Sequence, residues 1–507
     1  MCRPPLSLGY TGSHDRRPRD RRACARLLTA VFGAAAFPAA THAADVTWFD
    51  QAALSDPTGA AGDRFGAAVD LDQGLAVVGA QFDSTLIPFA GSAHVFDVAT
   101  GQRLHRLDPI DGDAFDWFGS TVAADAGRAL VAATRDDDRG DQSGSAYLFD
   151  LGTGDQLAKL LPPPGSAHAD FGRALGLHAN TALVGAPRDD TAATDAGAAY
   201  LYDLAQPSTP ITLTAPAAAG ADAFGAAVAL GANHALVGAP QADAPGPGGA
   251  IADAGAVDVF DPATGAHLGS LAPDDAQPGD AFGSALAITG DLALVAARGA
   301  DLAGIGADAG AVYLFDLLTL QQVGKITAPD PRAGDQFGSS LDADGDRLVV
   351  STLGNGGGPG AFGGASFLFD LVTADALAEL RVPDPPAAGS LGGVVAIEGQ
   401  TILLGLPEDN GAAPGAGQAL VFEPALAGDA NQDGVVNLID FDALAQNFGE
   451  PGAWSDAEFS RNGVVDLLDF DALAQNFGAT SDAIAVPTPA GLGLLAPGAC
   501  LLARRRR

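Results

Sequence analysis

A Phe-Gly pair returns along the chain at Phe65, Phe118, Phe171, Phe224, Phe282 and Phe337, and Leu391-Gly392 holds a seventh slot. The spacing is nearly constant and is widest between Phe224 and Phe282. A regular period of this length means one supersecondary unit per repeat, stacked on its neighbours because no single unit buries its own apolar face. The architecture is thereby restricted to a solenoid or a propeller.

Residues 222–240 show how a unit is built. After Phe224-Gly225 an apolar run over 226–230 turns through Gly231, Ala232 and Asn233, and a second run returns over 235–238. That is a tight hairpin. A loop rich in Asp, Gly and Pro leads to a third strand over 255–261, repeated at 144–150 and 310–316, whose alternation suits a pleated strand. A turn over 261–265 opens a fourth strand over 267–272, and 273–280 delivers the chain to the next Phe-Gly. Four strands per repeat describe a propeller blade.

The third-strand motif ends in Asp97, Asp150, Asp203, Asp261, Asp316 and Asp370, with a seventh copy over 417–423, yet no fourth strand follows Glu423. The missing strand stands at the other end, over 46–54. Pairing the two ends inside one blade closes a ring and removes the exposed edges of an open array. The expected fold is mainly β, a seven-bladed propeller of four-stranded blades over residues 44–424. The order Phe-Gly, then Leu-Val-Gly-Ala-Pro (183–187, 236–240), then Gly-Ala-Val-Tyr-Leu-Phe (310–315) resembles the FG-GAP repeats of integrin alpha-subunit propellers and their bacterial relatives. The resemblance implies the fold; function varies widely on one fold. Such repeats often carry an Asp-x-Asp-x-Asp-Gly calcium loop between their first two strands. It is missing here, and its nearest approach, Asp342-Ala343-Asp344-Gly345-Asp346, reads as a turn.

Residues 1–43 read as a signal peptide: a basic stretch (Arg16, Arg17, Arg19, Arg21, Arg22, Arg26), an apolar run over 27–40 and the small-residue site Thr41-His42-Ala43. Cys2, Cys24 and Cys500 all fall in segments expected to be removed, so neither disulfides nor thiolate catalysis is expected. Residues 44–503 carry 15 basic and 60 acidic side chains, a net charge of −45. Such a surface repels nucleic acid and anionic membranes and suits calcium.

Residues 425–480 change texture. Asp429, Asn431, Asp433, Asn437 and Asp440 place oxygen side chains at positions 1, 3, 5, 9 and 12 of a loop, with Gly434 at the sharp turn and the Val435 carbonyl at position 7. Calcium takes that many hard oxygens. A helix follows with Phe441, Leu444, Ala445 and Phe448 on one face. The unit returns once more with Glu458, Ser460, Asn462, Val464, Asp466 and Asp469, a poorer ligand set. Two loop-helix units ending in Asp resemble a type I dockerin, a small α-helical calcium-binding module, which implies a cohesin-like partner. Dockerins contact cohesins through loop positions 10 and 11, often Ser and Thr. Here those positions are Leu438-Ile439 and Leu467-Leu468, so an intramolecular or different partner is equally open.

Residues 481–507 contain Val486-Pro487-Thr488-Pro489, an apolar stretch over 490–503 and four terminal arginines. They resemble a PEP-CTERM sorting tail, which implies transient membrane association and processing at the surface of a Gram-negative bacterium. No His-Glu-x-x-His, Gly-x-Ser-x-Gly or phosphate loop is present, and the glycines of 354–360 lie in a loop. These features predict an exported, non-catalytic monomer that binds an extracellular protein or glycan in adhesion or matrix assembly. The rivals are a docked polysaccharide hydrolase or lyase and a plain structural spacer. Strand order places the long loops 109–116, 135–143, 188–196, 241–254 and 273–281 on one face. Long loops on a rigid scaffold carry recognition, so Asp136, Asp137, Asp138, Asp189 and Asp190 are candidate ligand contacts, directly or through calcium.

Overall fold

The computed structural model describes residues 46–246, 249–353, 364–380, 393–408, 414–426, 428–430 and 436–449, with residues 465, 467, 470, 473, 474 and 477. They fall into two compact units, Trp48–Pro424 and the segments flanking it.

The larger unit contains seven four-stranded antiparallel sheets. In the first, Phe65–Asp72, Leu75–Ala80, Ser92–Asp97 and Gln102–Leu107 pair in sequence order. The second and third strands are buried along nearly their whole lengths, whereas the fourth alternates in exposure. Each sheet is covered on both faces by its neighbours near the axis, so its inner strands are continuous runs of Ala, Val, Leu and Gly. Only the outer strand shows the half-buried period of two. Each innermost strand packs against the next, and Phe65–Asp72 also packs on Val395–Glu398, so the ring is closed.

The seventh sheet has the order Val46–Leu54, Gln418–Leu426, Thr401–Leu406, Val395–Glu398. The N-terminal strand supplies the outer strand that the last repeat lacks, as the count of motifs requires. The widest repeat spacing, from Phe224 to Phe282, is absorbed by a small extra hairpin, Ala244–Gly246 with Gly249–Ile251, in the loop between the second and third strands. Leu391-Gly392 lies outside the described residues.

The Phe-Gly pairs sit where blades meet. Phe65, Phe118, Phe224, Phe282 and Phe337 are at most 1% exposed. Each ring meets an aromatic ring of its own blade's third strand edge-on, as in Phe118 with Phe149 at 5.8 Å and Phe224 with Phe260 at 6.1 Å. Such pairs add about 0.5–1.5 kcal/mol beyond area burial. The same phenylalanine donates its backbone N–H to the preceding blade: Phe65 to Ala416 (2.8 Å), Phe118 to Ala90 (2.7 Å), Phe224 to Ala196 (3.0 Å). The motif residue therefore fills the core and latches one blade to another.

In the smaller unit, helix Leu438–Asn447 begins at Asn437, whose side chain accepts from Ile439 N–H while Asp440 accepts from Asn437 N–H, a reciprocal capping box. Val436, Leu444, Val465 and Leu473 are buried, and Phe441 meets Phe470 edge-on at 6.3 Å. Val436 with Val465, Phe441 with Phe470 and Leu444 with Leu473 are equivalent positions of the duplicated motif, so the two copies share one small core. Phe448, expected on the buried helix face, is 38% exposed, because the helix ends at Asn447 and the chain turns away there. In the second copy, Leu467, Phe470, Leu473 and Ala474 are helical too.

Candidate functional site

Residues preceding the Phe-Gly pairs of blades one to four and the first residues after the second strands of blades one to five converge on the loop-bearing face. They border a depression of about 890 Å³ lined from five blades, including Arg64, Arg135, Arg173, Arg188 and Arg298. A third of the 15 basic residues of 44–503 thus gather at one place on a strongly acidic protein. The slot before each Phe-Gly has left-handed backbone in successive blades, with φ of 57° at Arg64, 59° at Trp117 and 56° at Asp170. Non-glycine residues adopt it at a cost of order 1 kcal/mol or more, which the surrounding packing must offset.

The arginines differ in how they are held. Arg64 pairs with Glu408 at 2.6 Å and lies over the Phe82 ring at 5.1 Å. Arg135 lies 4.0 Å over the Trp117 ring and donates to Gln142 Oε1 at 2.6 Å. Arg173, Arg188 and Arg298 are exposed, and none of them has an ion pair among the described residues. Asp170 and Asp195 also line the depression, and the balance remains positive. Three unengaged guanidinium groups can bind planar carboxylate or sulfate groups through paired N–H donors.

The aspartates expected to contact ligand divide in two. Asp136 and Asp189 are 4% and 3% exposed and hold their own loops, which corrects the expectation for both. Asp136 accepts from Ser145 (2.5 Å), Tyr147 (2.7 Å) and Asp138 N–H (2.9 Å), and pairs with Lys159 at 2.8 Å. Burial pushes its carboxyl up, but Lys159 and the hydroxyl and amide donors outweigh that and hold it below the usual range. Asp189 accepts from Tyr200 (2.6 Å) and Thr191 N–H (2.7 Å). Asp137, Asp138 and Asp190 are exposed on the predicted face, with Asp138 paired to Lys159 at 2.7 Å.

Asp56, Asp83 and His94 form a buried trio with ligand atoms within 4.8 Å of one another. Two arginines already neutralise it, Arg103 at 2.7 Å from Asp56 and Arg106 at 2.7 Å from Asp83. Burial pulls the His94 pKa well down; Asp56 opposes this and the arginines add to it, so the imidazole is neutral. A divalent cation would have to enter against two fixed positive charges. The trio is an ion-pair network that ties the first blade to the strand closing the ring.

A second acidic pair lies in the ring of innermost strands. Asp70 and Asp342 occupy the same register position in blades one and six. Each caps the free edge of the following blade, Asp70 accepting from Ala124 N–H at 2.7 Å and Asp342 from Ile397 N–H at 2.8 Å. Asp342 to Asp344 belong to the strand Ser340–Asp344, and only Gly345 and Asp346 form the expected turn. Burial raises both carboxyls, to about 8 and about 7, and the charge of Asp342 adds to the rise at Asp70 while the amides oppose it. A folded pKa above the unfolded value near 4 means the native state binds more protons between the two. Stability from this pair is complete at acid pH and is lost as pH rises from about 4 to about 8. Asp70→Asn is expected to raise the melting temperature at pH 8.5 and to change it little at pH 4. Equal shifts at both pH values, measured by calorimetry, would refute this.

Blades meeting at buried Phe-Gly pairs and closing by their two termini define a seven-bladed β-propeller. Residues 48–96, 103–149, 155–202, 267–315 and 320–369 match the FG-GAP repeat family, so the chain carries FG-GAP repeats. Each match runs from a fourth strand through the third strand of the next blade. The first three strands of blades four and seven fall outside the matches; one blade has the longest loop and the other has Leu391 in the Phe slot. No curated protein matches the chain.

The arginines were not among the residues singled out from the sequence. They occupy different repeat slots, Arg64 before a Phe-Gly, Arg173 after one, Arg135 and Arg188 after second strands. Only ring closure brings them together. Their scarcity in an acidic chain was the available signal.

Proposed function

We propose that this is an exported bacterial surface or secreted binding protein without catalytic activity, which holds an extracellular ligand at the centre of the loop face. The observation that carries the reading is the depression built from five blades, an arrangement that exists only in the closed ring. The experiment is a screen of the purified chain against glycans and surface proteins, with and without calcium, followed by substitution on each face. Binding that survives loop-face changes and fails on changes at the hairpin-turn face would refute the placement. Release of reducing ends from a bound glycan would favour the hydrolase reading.

The terminal modules extend the proposal. Residues 1–43 would direct export, 481–507 would sort the chain to the surface, and 425–480 would act as a dockerin-like calcium module. Support for calcium comes from Asp429 and Asp440, 4% and 0% exposed at the two ends of the first loop, with Asn437 near the helix start. Buried carboxylates at both ends of an oxygen-rich loop suit a hard cation. Asn431, Asp433, Val435, Glu458, Ser460, Asn462, Val464, Asp466 and Asp469 lie outside the described residues. The second loop opens on Glu458, one methylene longer than Asp429, and has Ser460 and Asn462 where the first has Asn431 and Asp433, so weaker binding is expected there. Calorimetry of the full chain is expected to give two unequal calcium sites, with Asp433→Ala abolishing the tighter one. Two equal sites would contradict the ranking of the two ligand sets.

A further inference from the structure

We infer that the arginine-lined depression binds an acidic polysaccharide, a chain of sugars bearing carboxylate or sulfate groups. The inference rests on the proposed binding role and names the ligand class. Arg173, Arg188 and Arg298 are exposed and have no ion pair among the described residues. They belong to blades three and five, and Arg64 and Arg135 to blades one and two. A single compact phosphate needs donors that converge on one point. Cations spread along a depression instead match charges repeated along a linear polymer.

Aromatic surface continues from the arginines. Trp117 and Phe82 wall the depression and meet edge-on at 5.2 Å. Phe82 contacts Phe89 at 6.2 Å, and Phe89 stacks on Phe115 at 5.4 Å with an interplanar angle of 18°. Phe89 and Phe115 are 44% and 58% exposed. Two loops fix this ledge, because Phe115 N–H donates to Pro88 O at 3.1 Å and Trp117 N–H to Phe89 O at 3.4 Å. Flat apolar rings beside guanidinium groups offer a pyranose a face for its C–H bonds and paired donors for its acid group.

The net charge selects the shape of the partner. At physiological salt, fields are screened within about 8 Å. A thin sugar chain along the depression feels mainly the arginines. An acidic protein or a nucleic acid would also meet the surrounding aspartates and be repelled.

The test titrates the purified chain with a polyuronate oligomer, a sulfated galactan oligomer and a neutral oligomer of equal length. At least one acidic oligomer is expected to bind 10-fold or more tighter than the neutral one, and the two acidic arms show whether carboxylate or sulfate is read. Combined Arg173→Gln, Arg188→Gln and Arg298→Gln should weaken binding at least ~100-fold, since each lost charge-assisted bond is worth roughly 10-fold and such losses add incompletely. Phe115→Ala should weaken it about 5-fold, and Arg128→Gln on the hairpin-turn face should leave it unchanged, with melting curves verifying each fold. Equal binding of the neutral oligomer, or full binding by the triple variant, would overturn the inference. So would stronger competition by single-stranded DNA or a poly-glutamate peptide than by either acidic glycan. Neutral-glycan binding lost on Phe115→Ala would sink the acidic-ligand inference and leave the binding role standing; ligand bound on the hairpin-turn face alone would sink both.

Discussion

Deletion of residues 44–56 is expected to lower the melting temperature by roughly 5–10 °C and to make the protein aggregate on warming. The deleted stretch contains Val46–Leu54, the outer strand of the seventh sheet, and its loss exposes the backbone edge of Gln418–Leu426. Leu54 is 1% exposed and packs in one cluster with Phe65, Phe96, Ala419 and Val421, so its removal also opens a void at the seam between the last blade and the first. Asp56 goes too, leaving Arg103 and half-buried Arg106 with less compensating charge. Together these losses are on the order of 5–10 kcal/mol, and at this chain length each is worth about 1 °C. A bare edge then invites pairing with another copy. Calorimetry with light scattering measures both effects, and an unchanged melting curve would refute closure by the N-terminal strand.

Closure was legible because a repeat that lacks a strand at one end and has a spare one at the other leaves a single way to satisfy the backbone. The core was legible for a related reason. Phe224 and Gly225 recur because a core-filling ring and a backbone-to-backbone approach tolerate few other residues. Asp136 and Asp189 misled for the same reason read in reverse. With Asp83 they occupy one slot three residues past the end of a second strand, bonded to Ala80, Ala133 and Ala186. Recurrence at a slot marks a structural task, and each carboxylate caps its loop and binds a hydroxyl of the third strand. Ligand-binding residues need not recur, and of the five arginines only Arg135 and Arg188 share a slot. Each is ordinary in its own repeat, and their common location is a property of the ring. Phe89 and Phe115 share that character, since they meet only when the loops of neighbouring blades are brought side by side.

The glycine that opens each third strand is expected to be the least replaceable small residue in the propeller, with Gly197→Ala lowering stability by about 4 kcal/mol or preventing folding. Gly197 has φ of 84° and forms a parallel bridge to Phe224 of the next blade. A Cβ there would overlap the Phe224 carbonyl oxygen and lie 2.7 Å from its nitrogen. Backbone cannot swing aside as a side chain can, so the blades must part. Parting them lengthens the bond from Phe224 N–H to Ala196 O, now 3.0 Å, and uncovers the fully buried Phe224 ring. The left-handed conformation adds about 1 kcal/mol for alanine. Gly165 separates the two costs, because its φ is 93° while a Cβ there would meet nothing within 4 Å. Gly165→Ala should therefore lose only the conformational part, about 1 kcal/mol, and Gly197→Ala several times more in denaturant midpoints. Similar losses at both would place the cost in backbone conformation alone and remove the blade-to-blade approach as the reason for glycine in this slot. The approach recurs at Gly91, Gly144, Gly255, Gly310 and Gly417, each set against the phenylalanine that opens the following blade. Gly417 faces Phe65 across the seam, so Gly417→Ala should match Gly197→Ala in a closed ring and cost little in an open one.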